Sequence, residues 1–310
     1  MSHAVKTEGL GRMFGPRVAL AEVTLAVREG ELFGLLGPNG SGKTTLFRIL
    51  STLLPPSSGF ARIGGADVVG EPMKVRHHLG VVFQSPALDP QLTVAENLRC
   101  AGHLYGLGGA DLAERLRAAA GALEVSDRLG DRVQTLSGGL QRRVEIAKSL
   151  LPRPRVLLLD EPSTGLDPAA RDGLRAVLEK LRRERGVTVV MTTHLLDEAG
   201  RCDRVAILHR GRVVACDAPE VLRGAGGAEV AVLSGSDPAA LARRVRETFG
   251  WPVSVRGARV RVEVPGGGGA SARLVAALAG AADTVTVGRP TLEDVFLQRT
   301  GETLHGGELS

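Results

Sequence analysis

Apolar and polar positions change period several times along this chain, and each change marks an element. Val23, Leu25 and Val27 alternate within LAEVTLAVREG, the period of a half-buried strand. ELFGLLG reads as a second strand that runs straight into a glycine-rich turn, and KTTLFRILSTLL then takes a helical period until PPSSG stops it. GVVFQ, at 80–84, is a short strand. From about 88 to 150 the pattern is mostly helical, through LTVAENLRCAGHLYG, DLAERLRAAAGALEV and QRRVEIAKSLL. RVLLLD is a continuous apolar run, which suits a strand covered on both faces. PAARDGLRAVLEKLRRERG is amphipathic and helical, VTVVMTT is another buried strand, and VAILHRGRVVACD reads as a hairpin. Together these predict an α/β core interrupted by a helical insertion.

A glycine-rich break, RGAGGAE at 223–229, predicts a boundary. The segments after it read strand, helix, strand, strand, helix, strand, a βαββαβ order of the ferredoxin-like kind. The linker PGGGGA is expected as a loop and not a phosphate site, because no lysine-bearing strand-to-helix frame follows it. TLEDVFLQRTG closes the chain as a helix with an apolar stripe of Leu292, Val295 and Phe296. The expected division is therefore residues 1–225, with a helical subdomain at about 88–150, then an α+β domain at 229–300 and a tail at 301–310.

Bulk properties narrow the function classes. The 310 residues are 43% hydrophobic and 24% charged, a globular composition. A net charge of +5 is spread along the chain and only 3% of residues are aromatic, which argues against a nucleic-acid partner. Cys100, Cys202 and Cys216 form no paired or metal-type spacing and are expected as reduced thiols. The N-terminus does not follow the plan of a signal peptide, and no apolar run reaches the ~18–20 residues a membrane span needs. A membrane role therefore calls for a partner chain.

Candidate chemistry begins at GPNGSGKT, Gly37–Thr44, which fits the full phosphate-loop pattern between a strand and a helix. Gly37, Gly40 and Gly42 let backbone N–H groups turn toward phosphate oxygens, and Pro38, Asn39 and Ser41 complete the candidate nucleotide-binding loop. Lys43 is placed to reach the β- and γ-phosphates, Thr44 offers a hydroxyl to magnesium, and Thr45 continues the helix start. Asp160 ends the apolar strand of RVLLLDEP, where an α/β sheet presents ligands, and can hold magnesium through water. Glu161 follows as the candidate to polarise a water for attack on the γ-phosphate. His194, at the end of VTVVMTT, is a candidate to contact that phosphate, and Gln84 to contact magnesium or water. Phe14 is a candidate to stack on adenine, with core packing as the alternative. LSGGLQRR, 136–143, places a serine and two glycines before a basic helical run, a second anion-binding helix start about 100 residues away.

The phosphate loop, Gln84, LSGGLQRR, LLLDEP, STGLD and His194 occur in the order and rough spacing of the ATP-binding-cassette ATPases, which this chain resembles over residues ~5–225. The resemblance implies a phosphate-loop core with a helical and an antiparallel β subdomain, ATP and Mg2+ as ligands, and a head-to-tail dimer of two copies. It implies that Ser137, Gly138 and Gly139 contact the γ-phosphate held by the other copy, with Asp167 at the same interface. The family's commonest signature has Gln where this chain has Leu140, with Gln141 next. RPTLEDVFLQRTG and the small appended domain resemble the daunorubicin-resistance and nodulation-export branch. That branch implies a separate permease, a place on the cytoplasmic face of the membrane, and export of a drug, lipid-linked molecule or other amphiphile. A non-transport clamp of the DNA-repair type, or a translation-associated cassette, is the competing class. It is disfavoured because this chain has neither long heptad insertions nor a second cassette.

Overall fold

The computed structural model describes residues 3–224, 229–266, 269–302 and 304. They divide into two compact units, one up to Cys216 and the other from Asp217.

The first unit opens with β1 (His3–Phe14), β2 (Arg17–Arg28) and β3 (Leu32–Leu36), followed by α1 (Lys43–Leu50). Next come β4 (Ser58–Ile63), β5 (Ala66–Asp67), α2 (Pro72–His78) and β6 (Leu79–Val82). The helical stretch is α3 (Val94–Leu104), α4 (Gly109–Ala122) and α5 (Gly138–Leu150). The unit continues with β7 (Val156–Asp160), α6 (Pro168–Arg185), β8 (Thr188–Thr193), α7 (Leu196–Ala199), β9 (Arg204–His209) and β10 (Arg212–Asp217). One sheet runs β10-β9-β3-β8-β7-β6, and the pairs from β9 through β3, β8 and β7 to β6 are parallel. All five residues of β3 and of β7 are buried, as a parallel strand covered on both faces requires. The other sheet, β2-β1-β4-β5, is antiparallel.

The two sheets share one core. Val5, Leu10, Val23 and Ile63 from the antiparallel sheet cluster with Phe33, Leu158 and Val190 from the parallel one, and with Leu46 and Phe47 of α1. Burying such side chains contributes roughly 1.5–3 kcal/mol each, enough to hold the phosphate loop between layers. The helical stretch is anchored differently. A Cβ on Gly80 of β6 would come within 2.6 Å of Ser149 O, so α5 approaches that strand at backbone distance.

The sequence pattern did not predict β1, β4, β5 or α2. In β1 the period of two is broken by register shifts between Thr7 and Leu10 and again near Arg12, with Gly9 at φ 56°. Opposite it, a Cβ on Gly59 would meet Gly9 O at 2.3 Å. The bulge lets two backbones touch, and it erases the alternation by which a strand is recognised.

The second unit contains α8 (Pro219–Leu222), β11 (Glu229–Ser234), α9 (Pro238–Phe249), β12 (Val253–Arg256), β13 (Arg259–Val264), α10 (Ala270–Ala277), β14 (Thr284–Gly288) and α11 (Leu292–Thr300). From β11 to β14 the order is the βαββαβ read from the sequence, in one antiparallel sheet ordered β12-β13-β11-β14. Its core joins Leu233, Val260 and Val262 to Leu241 and Val245 of α9 and Leu274 of α10. Arg261, on the other side of β13, donates to Asp294 of α11 at 2.6 Å. The division falls before α8, which lies against α11, so it precedes the expected glycine-rich break. Residues 225–228 of that break, 267–268 of PGGGGA and most of the 301–310 tail lie outside the described residues. Among the described residues, no helix is long and apolar enough to cross a membrane.

Candidate functional site

The turn between β3 and α1 is built so that only glycine fits at its ends. A Cβ on Gly37 would lie 2.4 Å from Leu208 O, and one on Gly42 2.8 Å from Ala19 O. Gly42 also takes φ 109°, outside the range of other residues. The chain is thereby pressed between β9 and β2, and α1 begins at Lys43 with no side-chain cap, leaving its first N–H groups to the cleft. Ser41 Oγ is buried there without a hydrogen-bond partner. A narrow backbone cradle, an uncapped helix start and an orphaned hydroxyl fit a polyphosphate.

Lys43 is 5% exposed and donates from Nζ to Gly37 O at 2.6 Å and to Pro38 O at 3.2 Å. The same Nζ lies 3.8 Å from Glu161 Oε1. Burial holds its pKa below the ordinary lysine value, partly offset by the charges of Glu161 and Asp160. Asp160, 3% exposed at the end of β7, is pushed the other way. Burial raises its carboxyl pKa, and the Thr192 hydroxyl, donating to Oδ1 at 2.6 Å, works against that rise. Thr192 Oγ1 also accepts from Glu161 N at 2.8 Å, so one side chain of β8 sets both acidic residues. Glu161 itself sits at φ 45°, a strained position for a non-glycine residue. Its Oε2 accepts from Thr164 Oγ1 at 3.1 Å and lies 3.3 Å from His194 Nδ1. That ring nitrogen is buried and has no hydrogen-bond partner, so the closeness to Glu161 lacks bonding geometry.

Of these groups Lys43 and Glu161 line a cleft of about 340 Å³, together with Asn39, Gly40, Gly42, Thr44, Thr45, Gln84, Arg17–Ala19 and Arg210–Gly211, while Asp160 and His194 are not among its lining residues. Phe14 is not among the lining residues. It is 44% exposed, which excludes core packing, and the Arg12 guanidinium covers its ring at 4.8 Å. Ser137, Gly138 and Gly139 also lie outside the cleft, at the start of α5, where Ser137 Oγ accepts from Leu140 N at 3.4 Å. Asp167 caps α6 by accepting from Ala170 N at 2.9 Å, and a Cβ on Gly139 would be 3.0 Å from Ala170 Cβ. The serine-glycine turn and Asp167 thus adjoin within one chain, apart from that chain's phosphate loop.

Sequence reasoning missed what ties these parts together. Arg142, 8% exposed on α5, donates to Phe83 O (2.7 Å), Asp160 O (2.9 Å), Pro162 O (3.0 Å) and Glu145 Oε2 (2.7 Å). Glu145 Oε1 accepts from Ala87 N at 2.7 Å, and Lys148 Nζ donates to Ala87 O at 2.6 Å. One face of α5 therefore clasps both sides of Gln84 and the backbone around Glu161. The i, i+3 spacing of Arg142 and Glu145 was the available signal, hidden within an outwardly basic run.

No group of three or more His, Cys, Asp or Glu among the described residues could hold a metal by itself. Thr44, Gln84 and buried Asp160 are oxygen donors suited to a hard cation that brings phosphate oxygens with it, and so fit Mg2+ arriving with a nucleotide.

Comparisons with known proteins point to one family. The ABC transporter family profile matches residues 20–164. The Nod factor export ATP-binding protein I of Cupriavidus metallidurans is 35% identical over 307 residues, 98% of this chain and 99% of that protein. The daunorubicin resistance ATP-binding protein DrrA3 of Streptomyces coeruleorubidus is 38% identical, covering 96% of each chain. Among solved structures, CbiO1 of Clostridium perfringens, part of an ABC transporter complex, superposes with a TM-score of 0.67 at 27% identity over 81% of this chain and 97% of that one. A dimeric post-hydrolysis cassette, MJ0796 bound to ADP and Pi, gives a TM-score of 0.62 at 31% identity over 69% of this chain and 98% of its own.

Proposed function

The chain belongs to the ATP-binding proteins of the ABC transporter family, and from that premise we propose how its residues divide the work of powering an exporter. It binds and hydrolyses ATP as the ATP-binding subunit of an export system. Support for the site assignment rests on one observation above the others: Lys43 and Glu161 face each other at 3.8 Å inside the cleft lined by the phosphate loop. A polyphosphate entering there takes the place of the Gly37 and Pro38 carbonyls as partner of Lys43 Nζ. Backbone N–H groups from Gly40 to Thr45 hold its oxygens. Thr44, Gln84 and, through water, Asp160 would hold magnesium, which when bound neutralises charge on the β- and γ-phosphates. Glu161 accepts a proton from the attacking water, and His194 holds the γ-phosphate end in line. Thr192 keeps Glu161 and Asp160 at fixed separation, so little reorganisation is needed as charge develops.

ABC cassettes dimerise and work with membrane subunits. Here the serine-glycine turn at 137–139 and Asp167 meet the γ-phosphate held by a second copy, because they lie together and away from the chain's own cleft. The second phosphate site serves the partner's nucleotide. The permease docks on the helical stretch 88–135, which places the subunit on the cytoplasmic face of the membrane. The cargo is a drug, lipid-linked or other amphiphilic molecule, by analogy with the relatives' names; those relatives lend no support to a DNA-clamp reading. Residues 229–300 form an accessory domain that supports dimerisation or regulation, since they carry none of the nucleotide residues.

Glu161→Gln tests the assignment. It should leave ATP binding intact and slow hydrolysis by ~10²–10⁴-fold. Turnover equal to the unmodified protein would remove Glu161 from the chemistry.

A further inference from the structure

Among the described residues, six other than glycine take a positive φ, and two of them, Glu161 and Arg210, line the nucleotide cleft. Glu161 has its role above. Arg210 has none, yet its position is stranger. β9 and β10 are joined by only Arg210 and Gly211, at φ 47° and 77°. A two-residue hairpin loop with both φ values positive is the turn that asparagine-glycine or aspartate-glycine forms with least strain. Arginine at its first position carries a conformational penalty that asparagine avoids. Residues held in such conformations cluster at active sites and ligand clamps.

The turn is also fastened to the phosphate loop. Gly211 N donates to Ser41 O at 2.8 Å, and Gly211 O accepts from Ala21 N at 2.9 Å. The backbone carrying Arg210 therefore cannot drift from the loop or from the start of β2. Glu161 and Gln84, which the proposed chemistry assigns to the γ-phosphate, line the same cleft as Arg17, the first residue of β2, and Arg210 of the hairpin turn, which leaves those two arginines for the rest of the nucleotide. We propose that Arg210, with Arg17 beside it on the cleft wall, binds the α-phosphate and ribose end of the nucleotide, a contact shared by ATP and ADP. Arg210 then adds affinity to both and leaves the distinction between them to the γ-phosphate end. The inference rests on the nucleotide reading of the cleft.

Arg210→Asn separates a binding role from a structural one, because asparagine suits the turn better than arginine. Titration calorimetry of the full-length protein with MgADP, and with MgATP in a Glu161→Gln background, should show affinity for both nucleotides falling by roughly tenfold or more, as loss of one charge-assisted contact predicts. The melting temperature without nucleotide should stay level or rise. Arg210→Lys should recover part of the affinity. Unchanged affinity in Arg210→Asn, or a loss for MgATP alone, overturns the proposal; so does a fall in melting temperature, which would make the residue structural. If the unmodified protein binds neither nucleotide, the reading of the cleft itself fails, and that result is distinct from any of these.

Discussion

Around the cleft, Lys43, Asp160, Arg142 and Glu145 are each less than a tenth exposed. In the C-terminal unit the core is apolar throughout, from Ala231 and Leu233 to Val262 and Leu274. Its charge pair Arg261 with Asp294 keeps 17% of each side chain exposed. Both units use the same layering of sheet and helix, so the fold does not demand the buried charges of the first. Burying ions costs several kcal/mol per group before partners offset it. The first unit bears that cost around the cleft proposed to hold the nucleotide. Among its described residues the second buries no charged side chain, which supports the proposal that it is an accessory domain.

Breaking the clasp of α5 should give the largest effect. Arg142→Ala leaves Glu145 buried without its cation and frees three carbonyls, and should lower unfolding stability by about 3–5 kcal/mol in urea titration. A loss under ~1 kcal/mol would mean the buried network contributes no more than a surface pair. Next is the interface. With Glu161→Gln to prevent turnover, ATP should shift the protein toward dimer in sedimentation, and adding Ser137→Arg should abolish that shift while each chain still binds nucleotide. Persistent dimer in the double variant would show that the serine-glycine turn has been assigned to the wrong surface.

A smaller shift, opposite in sign, is expected at Asp160. Its carboxyl pKa is raised by burial above the ordinary 3.8. Below 3.8 the group is protonated whether the chain is folded or not. As pH rises through the raised folded value, the folded chain must ionise a buried group, so the stability this residue contributes in acid is lost. Asp160→Asn should therefore match or exceed the unmodified protein in melting temperature at neutral pH, flatten that pH dependence, and still lose magnesium-dependent hydrolysis. A lower melting temperature would place the residue among the structural ones. The smallest effect on nucleotide binding belongs to the C-terminal unit. Arg261→Ala, which breaks the tie from β13 to α11, should cost about 1 kcal/mol of stability and leave ATP affinity unchanged by calorimetry. An affinity loss there would dissolve the contrast between the two regions.

Much of this was legible because the decisive features are local. GPNGSGKT requires a strand before it and a helix after it, and both were visible in the hydrophobic period. RVLLLD reads as a buried strand because parallel strands covered on both faces cannot alternate. The βαββαβ order of the C-terminal unit followed from clean alternation in RVRVEV and TVTV, which no bulge disturbs. β1 was lost for the opposite reason, since Gly9 and Gly59 bring two backbones together at a bulge that breaks the period. Arg142, Glu145 and Lys148 were lost because a basic helical run looks the same whether its cations face water or the carbonyls of another segment.

By itself, then, the sequence determined the glycine-rich turn between β3 and α1, the acidic pair at the end of β7, the separation of the two glycine-preceded helix starts of α1 and α5 and the alternation of the C-terminal strands. Each depends on residues within a few positions of one another, whose geometry the backbone dictates. Only the tertiary structure decided that Phe14 is exposed and not in the core, that Arg17 and Arg210 line the cleft, that Thr192 sets both acidic residues, and that α5 clasps the segments around Gln84 and Glu161. Those placements join positions tens to nearly two hundred residues apart. They are fixed by which buried donors find which carbonyls once the layers have packed, and no period along the chain records that.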